Sequence, residues 1–151
     1  MVEMPILRIL TDVAAPTEVC FDLSRSIDLH LESMIASKER AVAGVTTGLI
    51  SAGEEVSWEA RHFGILWRMT SRITEFDRPH RFVDEMVRGP FASFRHEHFF
   101  EDDGGRTRMT DVVEFRTRLA VLSHVPVGLY LRRLIAVRNA AIRTKAETDH
   151  P

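Results

Sequence analysis

Apolar residues recur at every second position through the central part of the chain, in segments separated by short turns, and no other feature constrains the fold as strongly. The segments 54–63, 65–76 and 81–88 alternate in this way, as do "SFRHEHFFE" and "RTRMTDVVEFRTRL" (106–119), and a glycine-containing strand is predicted across 41–50. Such alternation indicates strands with one buried face. The turns "DRPH" (77–80) and "DDGG" (102–105) are short, so consecutive strands are predicted to pair as antiparallel hairpins.

Helical patterns flank this region on both sides. A first strand at 6–13 is followed by "APTEVCFDLS", where Pro16 suits the first turn of a helix, and then by a second helical segment at 27–38. After Pro126, apolar residues recur at helical spacing for about twenty residues, with Tyr130, Leu134, Val137 and Ala141 on one side. The predicted fold class is α+β, with a curved antiparallel sheet of about seven strands wrapped around a long C-terminal helix. The curvature leaves a space between sheet and helix.

Composition excludes several classes of protein. A chain of 151 residues fits one domain, 1–151, and the net charge of −2 gives no global electrostatic argument for binding nucleic acid or an anionic membrane. Cys20 is the only cysteine, so neither an internal disulfide nor a zinc-type cysteine cluster is expected. The N-terminus lacks a signal-peptide pattern, and no long apolar run predicts a transmembrane segment. These features predict a cytoplasmic protein without cofactor, metal or nucleic-acid partner, and they leave a homodimer open.

Counting back from the hairpin turns predicts a row of polar residues on the inner face of the sheet. Asp84 and Asp111 are expected on either side of His96, with His98 nearby. Two carboxylates beside one imidazole would satisfy the buried charges and raise the pKa of His96. The row has three interpretations: a metal site, which no cysteine cluster or H-E-x-x-H helix supports, a catalytic acid/base group centred on His96, and a structural or ligand-orienting network.

Further inner-face residues are candidates for contact with a bound molecule. Trp58 is read as core packing or as a stacking wall, and the methionines as adaptable core or as ligand lining. Arg138 interrupts the apolar side of the last helix and either extends to solvent or contacts an anionic group of a ligand. With His98, the candidates are Trp58, His62, Met69, Met86, Phe94, Met109, Val113, Phe115, Leu134 and Arg138.

The order of elements and several local motifs resemble the START-like, or Bet v 1-like, superfamily, also described as the polyketide cyclase/dehydrase and lipid-transport (SRPBCC) group. The matching stretches are "APTEVCFDLS", "GEEVSWEARHFG", "RPHRFVDEMVRGPFASFRHEHFFEDDGG" and "TRMTDVVEF". The resemblance covers nearly the whole chain and implies a helix-grip fold with a deep apolar cavity between the sheet and the C-terminal helix. It also implies binding of a lipid-like, isoprenoid-like or polyketide-like molecule, but no single reaction.

Two principal functions follow as expectations. The first is a non-catalytic binder or carrier of a small hydrophobic molecule. The second is a cyclase/dehydratase-type enzyme in which His96 transfers a proton and is oriented by Asp84 or Asp111. A third is a stress or membrane-associated accessory protein that presents quinone or lipid to another protein.

Overall fold

A computed structural model describes residues 5–118 and 124–150. A short 3₁₀ helix, Ile35–Ser37, follows the second α-helix. The remaining elements, in chain order, are β1 Ile6–Val13, α1 Thr17–Ser24, α2 Ile27–Ser33, β2 Arg40–Gly44, β3 Glu55–His62, β4 Ile65–Asp77, β5 Arg81–Arg88, β6 Phe91–Asp103, β7 Arg106–Thr117 and α3 His124–Asp149.

The seven strands form one antiparallel sheet in the order β1-β7-β6-β5-β4-β3-β2. Consecutive strands from β2 to β7 are neighbours, as the alternating pattern predicts, and β1 lies at the edge of the sheet beside β7. The long helix α3 lies across the sheet and buries Ile135, Ile142 and Ala146. The predicted α+β class, with two short helices after the first strand, is confirmed. No helix among the described residues is long and apolar enough to cross a membrane.

The two short helices cover one end of the space between the sheet and α3. Pro16 stands at the N-cap of α1, and the Ser26 side chain accepts a hydrogen bond from the Leu29 amide at the start of α2. Helix α1 buries Phe21, whose ring makes edge-to-face contacts with three aromatic rings of the sheet. Those rings belong to Phe76, Phe82 and Phe100, with centroid separations of 5.2–5.3 Å.

The alternating strand directions define two ends of the molecule, called here the upper and the lower end. The β3–β4 turn at 63–64, the β5–β6 turn at 89–90 and the start of α3 lie at the upper end. The β4–β5 turn at 78–80 and the β6–β7 turn at 104–105 lie at the lower end. Contact between Phe63 and Tyr130, at 4.9 Å between ring centroids, confirms that α3 begins beside the β3–β4 turn.

Element boundaries differ from the predictions at two places, and one residue of α3 differs in exposure. The second helix stops at Ser33. The strand predicted across 41–50 ends at Gly44, which has a φ of +74° and whose added Cβ would stand 2.2 Å from a backbone oxygen of β3. On α3, Val137 was placed on the apolar side but is 46% exposed. The C-terminal end of the last predicted strand, at residue 119, lies outside the described residues.

Candidate functional site

A cavity of about 570 Å³ lies between the inner face of the sheet and α3. This volume is within the range that holds small organic ligands. Its walls are mainly apolar and include Ile27, Val56, Trp58, Ala60, Met69, Ile73, Phe94, Leu131, Leu134 and Ile135. The cavity opens at the upper end, because the lining residues Phe63, Trp67 and Arg118 are exposed there.

The lining contains many of the residues proposed from the sequence. Those that line the cavity are Trp58, His62, Met69, Asp84, Phe94, His96, His98, Leu134 and Arg138. Met109, Val113 and Phe115 instead belong to packed core clusters, and Met86 lies against Gly89. Part of the inner face does not line the cavity, because Ile135 of α3 packs on Val113 and Phe115 of β7 and covers them.

Asp111 is the centre of a hydrogen-bond network and is 1% exposed. Its Oδ1 atom lies 2.7 Å from His96 Nε2 and 2.9 Å from Arg138 Nη2, and its Oδ2 atom accepts from Asn139 Nδ2 at 2.7 Å. Arg138 also donates to Asn139 Oδ1 at 3.0 Å. Both oxygens of the carboxylate are therefore satisfied inside the protein. The buried polar cluster, as it is called below, consists of Asp84, His96, His98, Asp111, Arg138 and Asn139.

The second half of the cluster joins β5 to β6. His98 Nε2 lies 2.6 Å from Asp84 Oδ2, and His98 Nδ1 lies 3.4 Å from Asp111 Oδ1 without a hydrogen bond. The sequence predicted Asp84 opposite His96, which the register confirms. The hydrogen bonds run diagonally, however, so that Asp84 is bound by His98 and Asp111 by His96.

The predicted pairing of His96 with Asp111 is two residues out of register. His96 lies opposite Val113, and Asp111 lies opposite His98. The β6–β7 turn lies at residues 104–105, one residue further along the chain than assumed, because Asp103 pairs with Arg106, and this displacement shifts the register by two residues. A shift of two residues keeps every side chain on its predicted face, because side chains alternate with a period of two.

The two histidine rings are stacked, which bears on the metal interpretation. Their centroids are 3.8 Å apart with an interplanar angle of 20°, and Phe82 stacks on the other side of His98 at 4.0 Å. Asp84, His96 and His98 offer ligand atoms within 4.8 Å of one another. An imidazole binds a metal close to its ring plane, through a nitrogen lone pair. Nearly parallel planes do not converge on one ion, so a shared metal requires rotation of a ring.

The charge state of the cluster is set by burial and by Arg138. Burial opposes ionisation of Asp111, but the Arg138 guanidinium, the hydrogen bond from His96 and the nearby His98 ring hold the pKa of Asp111 well below the usual value. Burial acts likewise on Asp84, and the hydrogen bond from His98 leaves the pKa of Asp84 lowered. Both side chains are therefore carboxylates at neutral pH.

The predicted rise in the pKa of His96 is wrong. Burial lowers the pKa of His96 to about 4, and interaction with His98 acts in the same direction, so the hydrogen bond to Asp111 is outweighed. His96 is therefore neutral at pH 7. Because the Asp111 carboxylate can only accept, the proton of His96 resides on Nε2 and Nδ1 carries a lone pair.

This lone pair has no protein partner. His96 Nδ1 makes no hydrogen bond within the described residues, and it is not sealed from solvent. Because His96 lines the cavity, Nδ1 is available to accept a hydrogen bond from a molecule inside it. The position lies five residues from Phe91 along β6, about 17 Å below the mouth at the usual strand rise.

Two helix residues complete the cluster in ways that sequence periodicity did not show. Arg138 was expected to extend to solvent or to meet an anionic ligand, but it is 8% exposed and pairs with Asp111. Asn139 was not singled out, although it is 2% exposed and also lies 3.1 Å from Thr11 Oγ1. The only sign of this pair in the sequence was the occurrence of two adjacent polar residues on the apolar side of the helix.

A second polar pair stands closer to the mouth. His62 Nδ1 lies 2.5 Å from the Tyr130 hydroxyl, joining β3 to α3. Burial lowers the pKa of His62, so its ring is neutral at pH 7. The pair links the β3–β4 hairpin to the start of the helix across the cavity entrance.

Comparison with family models and with curated proteins gives no match. Solved structures do match over nearly the whole chain. The aromatase/cyclase Zhui from Streptomyces sp. R1128 superposes with a TM-score of 0.75 over 96% of this chain and 94% of its own, at 16% identity. Protein Ms6760 from Mycobacterium smegmatis gives 0.71 over 96% and 92% at 18% identity. Ginseng major latex-like protein 151 from Panax ginseng gives 0.67 over 95% and 97% at 14% identity.

At these identities the comparisons establish the fold alone. The chain shares their helix-grip fold, so the resemblance found in the sequence is confirmed at the level of the fold.

Proposed function

We propose that the protein binds a small, largely apolar molecule in the cavity, with a hydroxyl group of that molecule donating to His96 Nδ1. The observation that carries the proposal is the combination of an apolar cavity of about 570 Å³ with one unpartnered acceptor on its wall. Such pockets bind mainly through apolar contact and orient the ligand through a few polar atoms. Relatives by fold include an aromatase/cyclase, which supports a ligand of polyketide or similar size.

The charges of the cluster favour a neutral head group. Asp84 and Asp111 contribute two negative charges, and the single guanidinium of Arg138 is already paired with Asp111. Asp84 in turn is paired with His98, so a carboxylate on the ligand would find no unpaired basic group in the cluster, and burying it there would be costly. An alcohol or phenol can donate to the lone pair on His96 without that cost.

Native mass spectrometry of protein purified from its own source tests the proposal directly. We expect a retained hydroxylated apolar molecule. Displacement of a fluorescent probe should show that a long-chain alcohol binds more tightly at pH 7 than the fatty acid of equal chain length. A preference for the fatty acid would contradict the assigned role of His96, and failure of any apolar molecule to bind would contradict the proposed function itself.

Filling the cavity should abolish binding without unfolding the protein. Ala60 lines the cavity and is 6% exposed, so Ala60→Phe places a ring in the space that a ligand would occupy. We expect probe affinity to fall by about a hundredfold, since a buried apolar contact of this size contributes roughly 2–3 kcal/mol. The control, Ala140→Phe on the exposed side of α3, should bind the probe like the unaltered protein. Equal affinity for both variants would place the ligand elsewhere.

Acid/base catalysis is the second candidate, and one observation favours it. A neutral imidazole with a free Nδ1, whose Nε2–H is held by a buried carboxylate, has the arrangement of an oriented general base. If a retained ligand contains a reactive carbonyl, His96 would remove a proton from its α-carbon and donate that proton to the hydroxyl that leaves as water in dehydration, or to the oxygen of the attacked carbonyl in ring closure. No nucleophile is required for this chemistry.

Replacement of His96 separates the two candidates. His96→Gln keeps a donor for Asp111 but removes the base. Under the catalytic reading, we expect turnover of a carbonyl substrate to fall about a hundredfold or more, with binding weakened far less. The matched control His62→Gln removes a cavity-lining imidazole that is not held by a carboxylate. Similar turnover by His96→Gln and unaltered protein would leave binding without catalysis.

A further inference from the structure

The β3–β4 turn exposes apolar side chains beside the mouth of the cavity. Within this hairpin tip, defined as residues 63–67, Phe63 is 80% exposed, Ile65 and Leu66 are each 54% exposed, and Trp67 is 37% exposed. Phe63 and Trp67 also line the cavity, so the tip forms part of its rim. An apolar patch of this kind on a protein surface marks a contact site.

Unpaired arginines surround the tip. Residues 60–74 contain three arginines and no acidic residue. Arg61 and Arg68, on either side of the tip, are exposed and make no ion pair within the described residues. The same holds for three more exposed arginines of the upper end, Arg88, Arg118 and Arg133. Elsewhere, arginines commonly pair with carboxylates, as in the pairs Arg40–Glu59, Arg72–Glu55, Arg78–Asp22 and Arg81–Glu75.

We propose that the hairpin tip docks the protein onto an anionic membrane surface, with the apolar side chains entering the headgroup region and the arginines contacting lipid phosphates. Aromatic and aliphatic residues flanked by arginines are suited to that boundary, because the rings and alkyl groups leave water while the guanidinium groups stay hydrated. Each nearby basic residue strengthens attachment to anionic lipid. The five arginines named above give this end a local positive charge, whereas the chain as a whole has a net charge of −2.

The shape of the surface favours a membrane over a second copy of the chain. A stable protein–protein interface buries about 800 Å² on each partner and takes roughly 20–30 residues from each side. The tip consists of a two-residue turn and the first three residues of β4, and the arginines around it would repel the same arginines of another copy. Docking does not depend on the ligand. The purpose of docking, which is exchange of the bound molecule with the bilayer, rests on the proposed function.

Co-sedimentation with lipid vesicles tests the proposal. We expect the protein to bind vesicles of phosphatidylcholine mixed with phosphatidylglycerol, to bind phosphatidylcholine alone weakly, and to release as salt is raised. Ile65→Thr/Leu66→Thr removes two apolar groups that do not line the cavity and should weaken vesicle binding by about tenfold or more. Arg61→Glu/Arg68→Glu should weaken it by at least about tenfold, and only for the anionic vesicles.

Matched controls alter the same residue types elsewhere. Leu10→Thr removes an apolar side chain that is 63% exposed on the edge strand β1, and Arg106→Glu reverses a charge at the lower end. Both should bind vesicles like the unaltered protein. All variants should retain probe binding in the cavity, which separates a failure of docking from a failure of ligand binding.

Two results would overturn the proposal. The first is vesicle binding that is equally strong without anionic lipid and unaffected by the hairpin variants. The second is absence of vesicle binding together with a concentration-dependent dimer, measured by light scattering, that Ile65→Thr/Leu66→Thr dissociates. The second result would identify the tip as a contact between copies of the chain.

Discussion

Asp111→Ala is expected to lower the free energy of unfolding by about 3–5 kcal/mol, because it leaves a buried guanidinium without its counter-charge. Arg138 is 8% exposed, and its partners in the interior are Asp111 and Asn139. The substitution also removes the acceptor of His96 Nε2. Urea or guanidinium denaturation at pH 7 measures the change.

Two further variants show whether the loss comes from the unpaired charge. Asp111→Ala/Arg138→Met replaces both ionic partners, and we expect it to recover much of the stability lost in the single variant. Asp12→Ala breaks an exposed pair with Arg108 and should cost less than about 1 kcal/mol. Equal losses in the single and double variants would show that Arg138 does not need Asp111 to remain buried.

Stability is also expected to fall in mild acid through His96, by about 3 kcal/mol between pH 7 and pH 4. The folded-state pKa of about 4 lies below the usual value of 6.5, so the unfolded chain binds a proton in this window and the folded protein does not. The contribution of His96 is therefore complete above pH 6.5 and is lost as the pH falls towards 4. The lowered pKa values of Asp84 and Asp111 add a further loss below their usual value of 3.8.

Denaturation curves recorded between pH 7 and pH 4 for the unaltered protein and for His96→Gln measure this contribution. The variant should show a clearly shallower decline over that interval, because glutamine does not titrate. His62→Gln is the control, since the pKa of His62 is lowered by partial burial alone and should affect the slope less. Parallel curves for His96→Gln and the unaltered protein would mean that folding does not shift the pKa of His96.

The wall of the cavity was predictable from alternation, but its extent was not. Trp58 and Met69 lie opposite each other, as counted from the turns, and both line the cavity. Val113 and Phe115 were placed on the correct face but are covered by Ile135. Alternation assigns a face to each residue, whereas the path of α3 decides which part of that face remains open.

For the buried polar cluster too, the sequence assigned the face of each strand residue, and the tertiary structure decided its partners. The sequence placed Asp84, His96, His98 and Asp111 on the inner face, and the two-residue error in register did not move them from it. It did not foresee the diagonal hydrogen bonds or the arrival of Arg138 and Asn139 from a helix 27 and 28 residues away along the chain from Asp111. Nor did it foresee the low pKa of His96, because burial depends on what packs around the ring.

The sequence by itself determined the order of elements, the antiparallel meander, the inner face and the four polar strand residues on it, since all of these follow from local periodicity and turn chemistry. Only the tertiary structure decided the volume of the cavity, the partner of each charge and the position of the exposed hairpin tip at its mouth. Those properties depend on contacts between residues far apart in the chain, and no local pattern encodes the distance, burial or electric field that such contacts create.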